Sequence, residues 1–157
     1  MNRLSRGLLA GAAGTLALDV ATYADMALRG RPSSTVPAKV AERAFQSAGL
    51  VPEEDTTPPR WCHRFQGVGA LLGYGTGLGV GMLYALAPRS RRRVHTLLPG
   101  LVVGVLTMAA TDAVSTMAGA TDPGTWDLAS WMSDAVPHAI YGVTVVLVCR
   151  PLVNRSS

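Results

Sequence analysis

Two aspartates stand where a carboxylate is costly. Asp19 and Asp112 each interrupt an apolar run, residues 7–28 and 97–119. Each lies roughly 18 Å into its run at the helical rise of about 1.5 Å per residue. A charged side chain at the centre of a membrane helix costs about 2.5–3.5 kcal/mol on insertion scales, so such groups turn towards protein and often mark proton or ion paths. Thr15, Thr22 and Tyr23 surround Asp19 at helical spacing, and Thr111, Ser115 and Thr116 surround Asp112. The first reading of this pattern is interhelical hydrogen bonding, worth about 0.6 kcal/mol per contact. The alternative is a proton or small-cation site with Tyr23 and Ser115 as the hydroxyl partners. On either reading the two carboxyl groups are predicted to face each other across a bundle and share a proton, since two like charges in contact repel.

His63 and His138 open two further apolar stretches and complete the candidate set. Two His and two Asp could in principle ligate a divalent metal, but no pair of His stands at the i, i+4 spacing of a helical metal motif. No metal and no cofactor is expected, and the histidines read as interfacial groups bonded to loop carbonyls. No Ser-His-Asp set, Cys-His pair or phosphate loop stands in a recognisable context, so the chain is not expected to be an enzyme. Gly69, Gly73, Gly77 and Gly81 recur every four residues. That spacing predicts a bare groove for close packing of another helix, from this chain or a second copy. With no strand before it, it is not a nucleotide-binding loop.

These residues must be positioned by membrane-spanning helices. The 157 residues are 48% hydrophobic and 15% charged, with a mean hydropathy of +0.26. The low charge excludes disorder, and two cysteines exclude a disulfide-stapled scaffold. Four runs qualify as spans, at about 7–28, 67–87, 97–119 and 135–153, each near the 20 or so residues that cross a bilayer. None alternates with period two, so a barrel is excluded. The prediction is one all-α domain, a four-helix transmembrane bundle. Arg3, Arg6 and the apolar residues 8–18 resemble the start of a signal peptide, but no small-residue cleavage site follows before Asp19, so the first run is expected to remain as a span. In the first loop, Pro37 suits a first turn and Gly49 a stop. Val36, Val40, Ala44 and Phe45 share a face, predicting a short amphipathic helix over about 36–48.

The net charge of +4 comes from arginines that flank spans. No nucleic-acid-binding motif accompanies them, so the bilayer is the expected partner and nucleic acid is not. Arg3 and Arg6, then Arg89 and Arg91 to Arg93, then Arg150 and Arg155 lie on one side, opposite Asp122, Asp127 and Asp134. The positive-inside rule places both termini in the cytoplasm, with Trp61, Trp126 and Trp131 at the outer interface.

The chain also echoes itself. Gly7-Leu8-x-x-Gly11, Asp19 and Thr22 match Gly100-Leu101-x-x-Gly104, Asp112 and Ser115 at a separation of 93. His63, Phe65, Gly67 and Val68 match His138, Ile140, Gly142 and Val143 at a separation of 75. Two duplicated helical hairpins of parallel topology are predicted. The Gly-Leu-x-x-Gly opening of a span, Pro123, Trp126-Asp127-Leu128 and Trp131 in a loop, and a His before the next apolar span resemble the YagU-like family of small bacterial inner-membrane proteins. The likeness is clearest over residues 100–148. It implies a four-helix protein of the bacterial inner membrane, in a family linked to acid tolerance.

The first expectation for function is a structural or accessory membrane component that self-associates or joins a membrane complex. The alternative is a proton or small-cation transporter using the paired carboxylates. Cys62 and Cys149 fall at opposite ends of their spans, separated by about 30 Å of bilayer and unable to form a disulfide within one chain. A membrane-impermeant thiol reagent applied to whole cells is expected to label Cys62 and not Cys149; labelling of Cys149 alone reverses the orientation.

Overall fold

The computed structural model describes residues 2–50, 59–87 and 96–154. The acidic run 53–55, the basic run 89–93, His95 and Arg155 lie outside the described residues. Five α-helices follow in order: α1 (Arg3–Arg29), α2 (Val36–Ser47), α3 (Pro59–Leu86), α4 (Leu97–Met117) and α5 (Leu128–Asn154), with a short 3-10 turn, Pro123–Thr125, before α5. No strand occurs among the described residues.

Helices α1, α3, α4 and α5 are long and apolar enough to cross a membrane, and the most apolar window of each is at most 33% buried within the chain. Leucines and valines such as Leu16, Leu71, Leu83 and Val105 stand exposed on their outer faces. An apolar surface of that extent would associate in water, whereas lipid covers it without penalty. The helices start and stop where local chemistry dictates. Asn2 accepts a hydrogen bond from the Ser5 amide at 2.8 Å at the start of α1, and Gly30, at φ 65°, ends it in the left-handed region that glycine adopts freely. Helix α3 begins eight residues earlier than its apolar run, because Trp61 and Phe65 stack at 5.8 Å and Phe45 of α2 closes on both rings edge-on. Helix α5 begins at Leu128 and not near 135, since Asp127 supplies an N-terminal cap: its Oδ1 accepts from the Ser130 amide at 2.7 Å.

The spans pack in the order α3, α1, α5, α4. Helix α1 lies against α3 and α5, and α4 against α5. Helices α3 and α4 diverge and leave an apolar groove of about 320 Å³ between Val80, Leu83, Tyr84, Val103, Leu106 and Thr107. Helix α2 lies along the first part of α3 and reaches α4. It turns Ala38, Ala41 and Phe45 towards α3, where Ala41 is fully buried, while Ala44, expected on that face, is exposed.

Bare backbone sets the two closest seams. A Cβ at Gly7 or Gly11 would strike the backbone of Gly81 and Met82 or of Gly77 and Leu78 at 2.6–2.9 Å. Across the other seam, a Cβ at Gly100 would meet Val143, and one at Gly104 would meet the His138 carbonyl. These contacts match one another at separations of 93 in α1 and α4 and 61 in α3 and α5, so Gly81 corresponds to Gly142. The separation of 75 read from the sequence is therefore not the packing register. Tyr141 joins the seams. Its ring lies over Gly14 of α1, and its hydroxyl donates to the Gly77 carbonyl of α3 at 2.7 Å. Tyr141, Val145 and Cys149, one helical turn apart, form the core with Ala10 and Ala85.

The four-residue glycine repeat divides. Gly77 and Gly81 face α1 and Gly69 faces Pro37 and Ala38 of α2, but Gly73 has nothing within 4 Å, so the expected backbone contact at Gly73 does not form. The i, i+4 ridge turns about the helix by roughly 40° per step, and by Gly73 the axis of α1 has moved away. Cys149 is fully buried, which leaves Cys62 to carry the labelling test of orientation. Gly77→Leu and Gly81→Leu are expected to cost about 1–3 kcal/mol or more through overpacking, seen as a lower thermal midpoint in detergent. Gly73→Leu should change the stability by less than about 0.5 kcal/mol and so leave that midpoint close to the parent's.

Candidate functional site

The α4–α5 seam positions three ionisable groups. Gly104 seats the two backbones against each other beside His138, and the seam then runs on towards the end of the bundle that carries the tryptophans. Side chains on a helix lean towards their own N-terminus. On antiparallel neighbours they therefore lean towards each other along the seam, which brings Asp112 of α4 within hydrogen-bonding reach of Asp134 of α5. One turn on, the Nδ1 of His138 lies 3.2 Å from Asp134 Oδ1 and 2.9 Å from the Asp134 carbonyl. Pro137 bears on this geometry, because it has no amide to offer the carbonyl of Ser133 and its ring crowds that turn.

The other carboxylate oxygen, Asp134 Oδ2, is buried and has no hydrogen-bond donor. A carboxylate only accepts, so two carboxyl groups in contact make a hydrogen bond only when one carries a proton. Hydroxyls extend the seam away from the cluster. Thr107 is buried and bonds back to the Val103 carbonyl at 2.8 Å, Thr111 bonds back to the Thr107 and Met108 carbonyls, and Ser115 is buried one turn further. Among the described residues, no three His, Cys, Asp or Glu side chains converge to hold a metal ion.

A second polar group lies at the same end, between α1 and α5. Arg29 grips Asp25 through Nε and Nη2, both at 2.6 Å, and Arg31 adds Nε at 2.5 Å. Arg29 also donates to the Ser133 hydroxyl, which in turn donates to the Ala129 carbonyl. Asp25 and Arg29 line a cavity of about 270 Å³ with Ala21, Met132, Val136 and Pro137. Ser133 and Asp134 are adjacent in α5, so one short stretch of that helix serves both polar groups.

Asp19 does not join Asp112. Helix α1 packs on α3 and α5 while α4 packs on α5, which puts α5 between α1 and α4. Asp19 instead accepts a hydrogen bond from the Tyr74 hydroxyl of α3 at 2.9 Å. Tyr23, expected beside the site, is 62% exposed. His63 is exposed near the start of α3, and α3 and α5 barely touch, so it stands apart from His138. Of the residues named from sequence, Asp112 and His138 come together, with Ser115 buried on the same helix as Asp112. The residues missed are Asp134, Asp25 and Tyr74. Asp134 and His138, like Asp25 and Arg29, stand at i, i+4, the spacing at which helical side chains meet. Tyr74 carried a weaker signal, as the lone hydroxyl-bearing aromatic at the centre of the glycine-rich α3.

Asp127 caps α5 and so fixes the turn that carries Ser133 and Asp134. The Ser130 hydroxyl and amide hold its carboxyl below the usual carboxylate range. A carboxylate whose pKa is lowered on folding adds stability above its unfolded value, and this is lost as the pH falls through the folded value. Asp127→Ala is expected to lower the thermal midpoint near pH 7, while Asp127→Asn, also a good cap, should retain most of it. The gap between the parent and Asp127→Ala should narrow below about pH 4. Thermal melts in detergent across that range check both the order and the pH window.

Compared with protein-family models, with curated proteins and with solved structures, the chain has no match.

Proposed function

We propose that this chain is a four-span protein of a bacterial inner membrane that binds and transfers protons through Asp112, Asp134 and His138, without enzymatic chemistry. Both termini are placed in the cytoplasm, so the tryptophan end and its polar groups open to the outside. The observation that carries the reading is the buried Asp134 Oδ2, which has no donor, on a side chain that interacts with the Asp112 carboxyl across the seam. A proton arriving on either carboxyl supplies the missing hydrogen bond, and its departure leaves two carboxylates in contact, a repelling state. His138 sits on the other Asp134 oxygen, where its ring nitrogen can take up or return a proton. This places the protonatable pair within one hairpin, Asp112 with Asp134, and gives Asp19 another role. The matching glycine contacts of the two hairpins support a duplicated origin in which α4–α5 acquired the ionisable cluster and α1–α3 did not.

The full chain reconstituted in liposomes, with a pH-sensitive dye inside and an imposed potential, tests this reading. The parent is expected to carry protons above the rate of empty vesicles. Asp112→Asn and Asp134→Asn should each bring flux to that background, and Asp19→Asn should leave it intact. Parent flux equal to that of empty vesicles, or flux that survives both substitutions, overturns the proposal.

A further inference from the structure

We propose that the α1–α3 face bearing Asp19, Tyr23 and Tyr74 is the surface on which a second copy of this chain docks within the membrane. Intramembrane carboxyl groups are found almost always towards a bundle interior, a cavity or a polar partner, yet Asp19 lies on the outer side of the α1–α3 seam. It follows Gly7, Gly11 and Thr15 on one i, i+4 ridge, and where those three are buried Asp19 is only partly covered. Its partner Tyr74 is 50% exposed and Tyr23 beside it 62% exposed, and Tyr74 stands near the middle of α3, far from either end. Lipid tails offer such groups no hydrogen bond.

The polar set is self-complementary, which points to a second copy as the occupant. Asp19 accepts through two oxygens, one of which holds the Tyr74 hydroxyl, and Tyr23 adds a further hydroxyl that can donate. A two-fold axis beside this seam brings the donor of each copy to the acceptor of the other, as an isologous interface requires. The flanking surface suits close approach. At about 100° per residue, Gly67 and Leu71 lie within about 60° of Tyr74 on α3. Gly67 has nothing within 4 Å, and Leu71 is 70% exposed. Bare backbone of this kind lets a helix from another chain come near. The inference goes beyond proton transfer and stands on different residues from that site.

The test uses the full chain with Cys62→Ser. Leu71→Cys is placed on the proposed interface and Val105→Cys on the exposed face of α4. Oxidation in native membranes is expected to give a band of doubled mass for Leu71→Cys and none for Val105→Cys. In lipid bilayers, photobleaching of the labelled parent should count two copies. Asp19→Leu, which makes α1 more apolar and so leaves insertion unharmed, and Tyr74→Phe should each raise the dissociation constant about tenfold, the scale of two symmetric intramembrane hydrogen bonds. A monomeric parent, a cross-link to a band of another mass, doubled mass from Val105→Cys alone, or an unchanged dissociation constant in both variants overturns the proposal.

Discussion

The Tyr141 hydroxyl on the Gly77 carbonyl holds this bundle to one arrangement. A phenol buried among apolar helices needs an acceptor. This one reaches its acceptor only because Gly14 leaves room for the ring and Gly77 leaves its own carbonyl bare. Lipid is as apolar as leucine, so no hydrophobic force drives spans together, and what remains is packing and hydrogen bonding. Glycine supplies both here. It brings α1 to α3 and α4 to α5 at backbone contact, and it opens the passage through which α5 is tied to α3.

Close packing at these seams leaves space elsewhere. Helix α3 cannot follow α1 along its whole length, so beyond Gly77 the two diverge and Gly73 stands open. Helices α3 and α4 also part, and α2 lies along the first part of α3 and reaches α4. The aromatic cluster of Phe45, Trp61 and Phe65 anchors it. The polar groups gather towards the tryptophan end. Asp25 with its two arginines and Asp134 with Asp112 and His138 flank the same stretch of α5, one on each side. Pro137, inside that stretch, frees a backbone carbonyl near both.

The two carboxyl sites therefore differ in kind. Asp112 lies beside a neighbouring helix that itself carries an acid and a histidine. Asp19 has a neutral phenol as its partner, the half-exposed Tyr74. One residue type at equal offsets from matching glycine contacts thus meets two environments. The difference comes from the neighbouring helix, since α5 carries an acid one turn before its seam where α3 carries glycine.

Much was legible in the order of residues. Long apolar runs with few charges leave helices in lipid as the only way to satisfy the backbone, so four spans and their approximate places could be read. The rise per residue placed Asp19 and Asp112 in depth, and Gly49 marked the end of α2. Azimuth and neighbours could not be read. A period of 3.6 says which residues share a face but not which helix that face meets, so depth pairs Asp19 with Asp112 while the packing puts α5 between their helices. The start of α5 moved because an acidic cap eight residues before the apolar run outweighs hydropathy. The packing of α3 and α5 matches at a separation of 61 where their residue likeness runs at 75, because backbone contact between glycines, and not likeness of residues, sets how two helices slide. Depth follows from chain length alone; contact depends on how whole helices cross, and only the assembled bundle decides that.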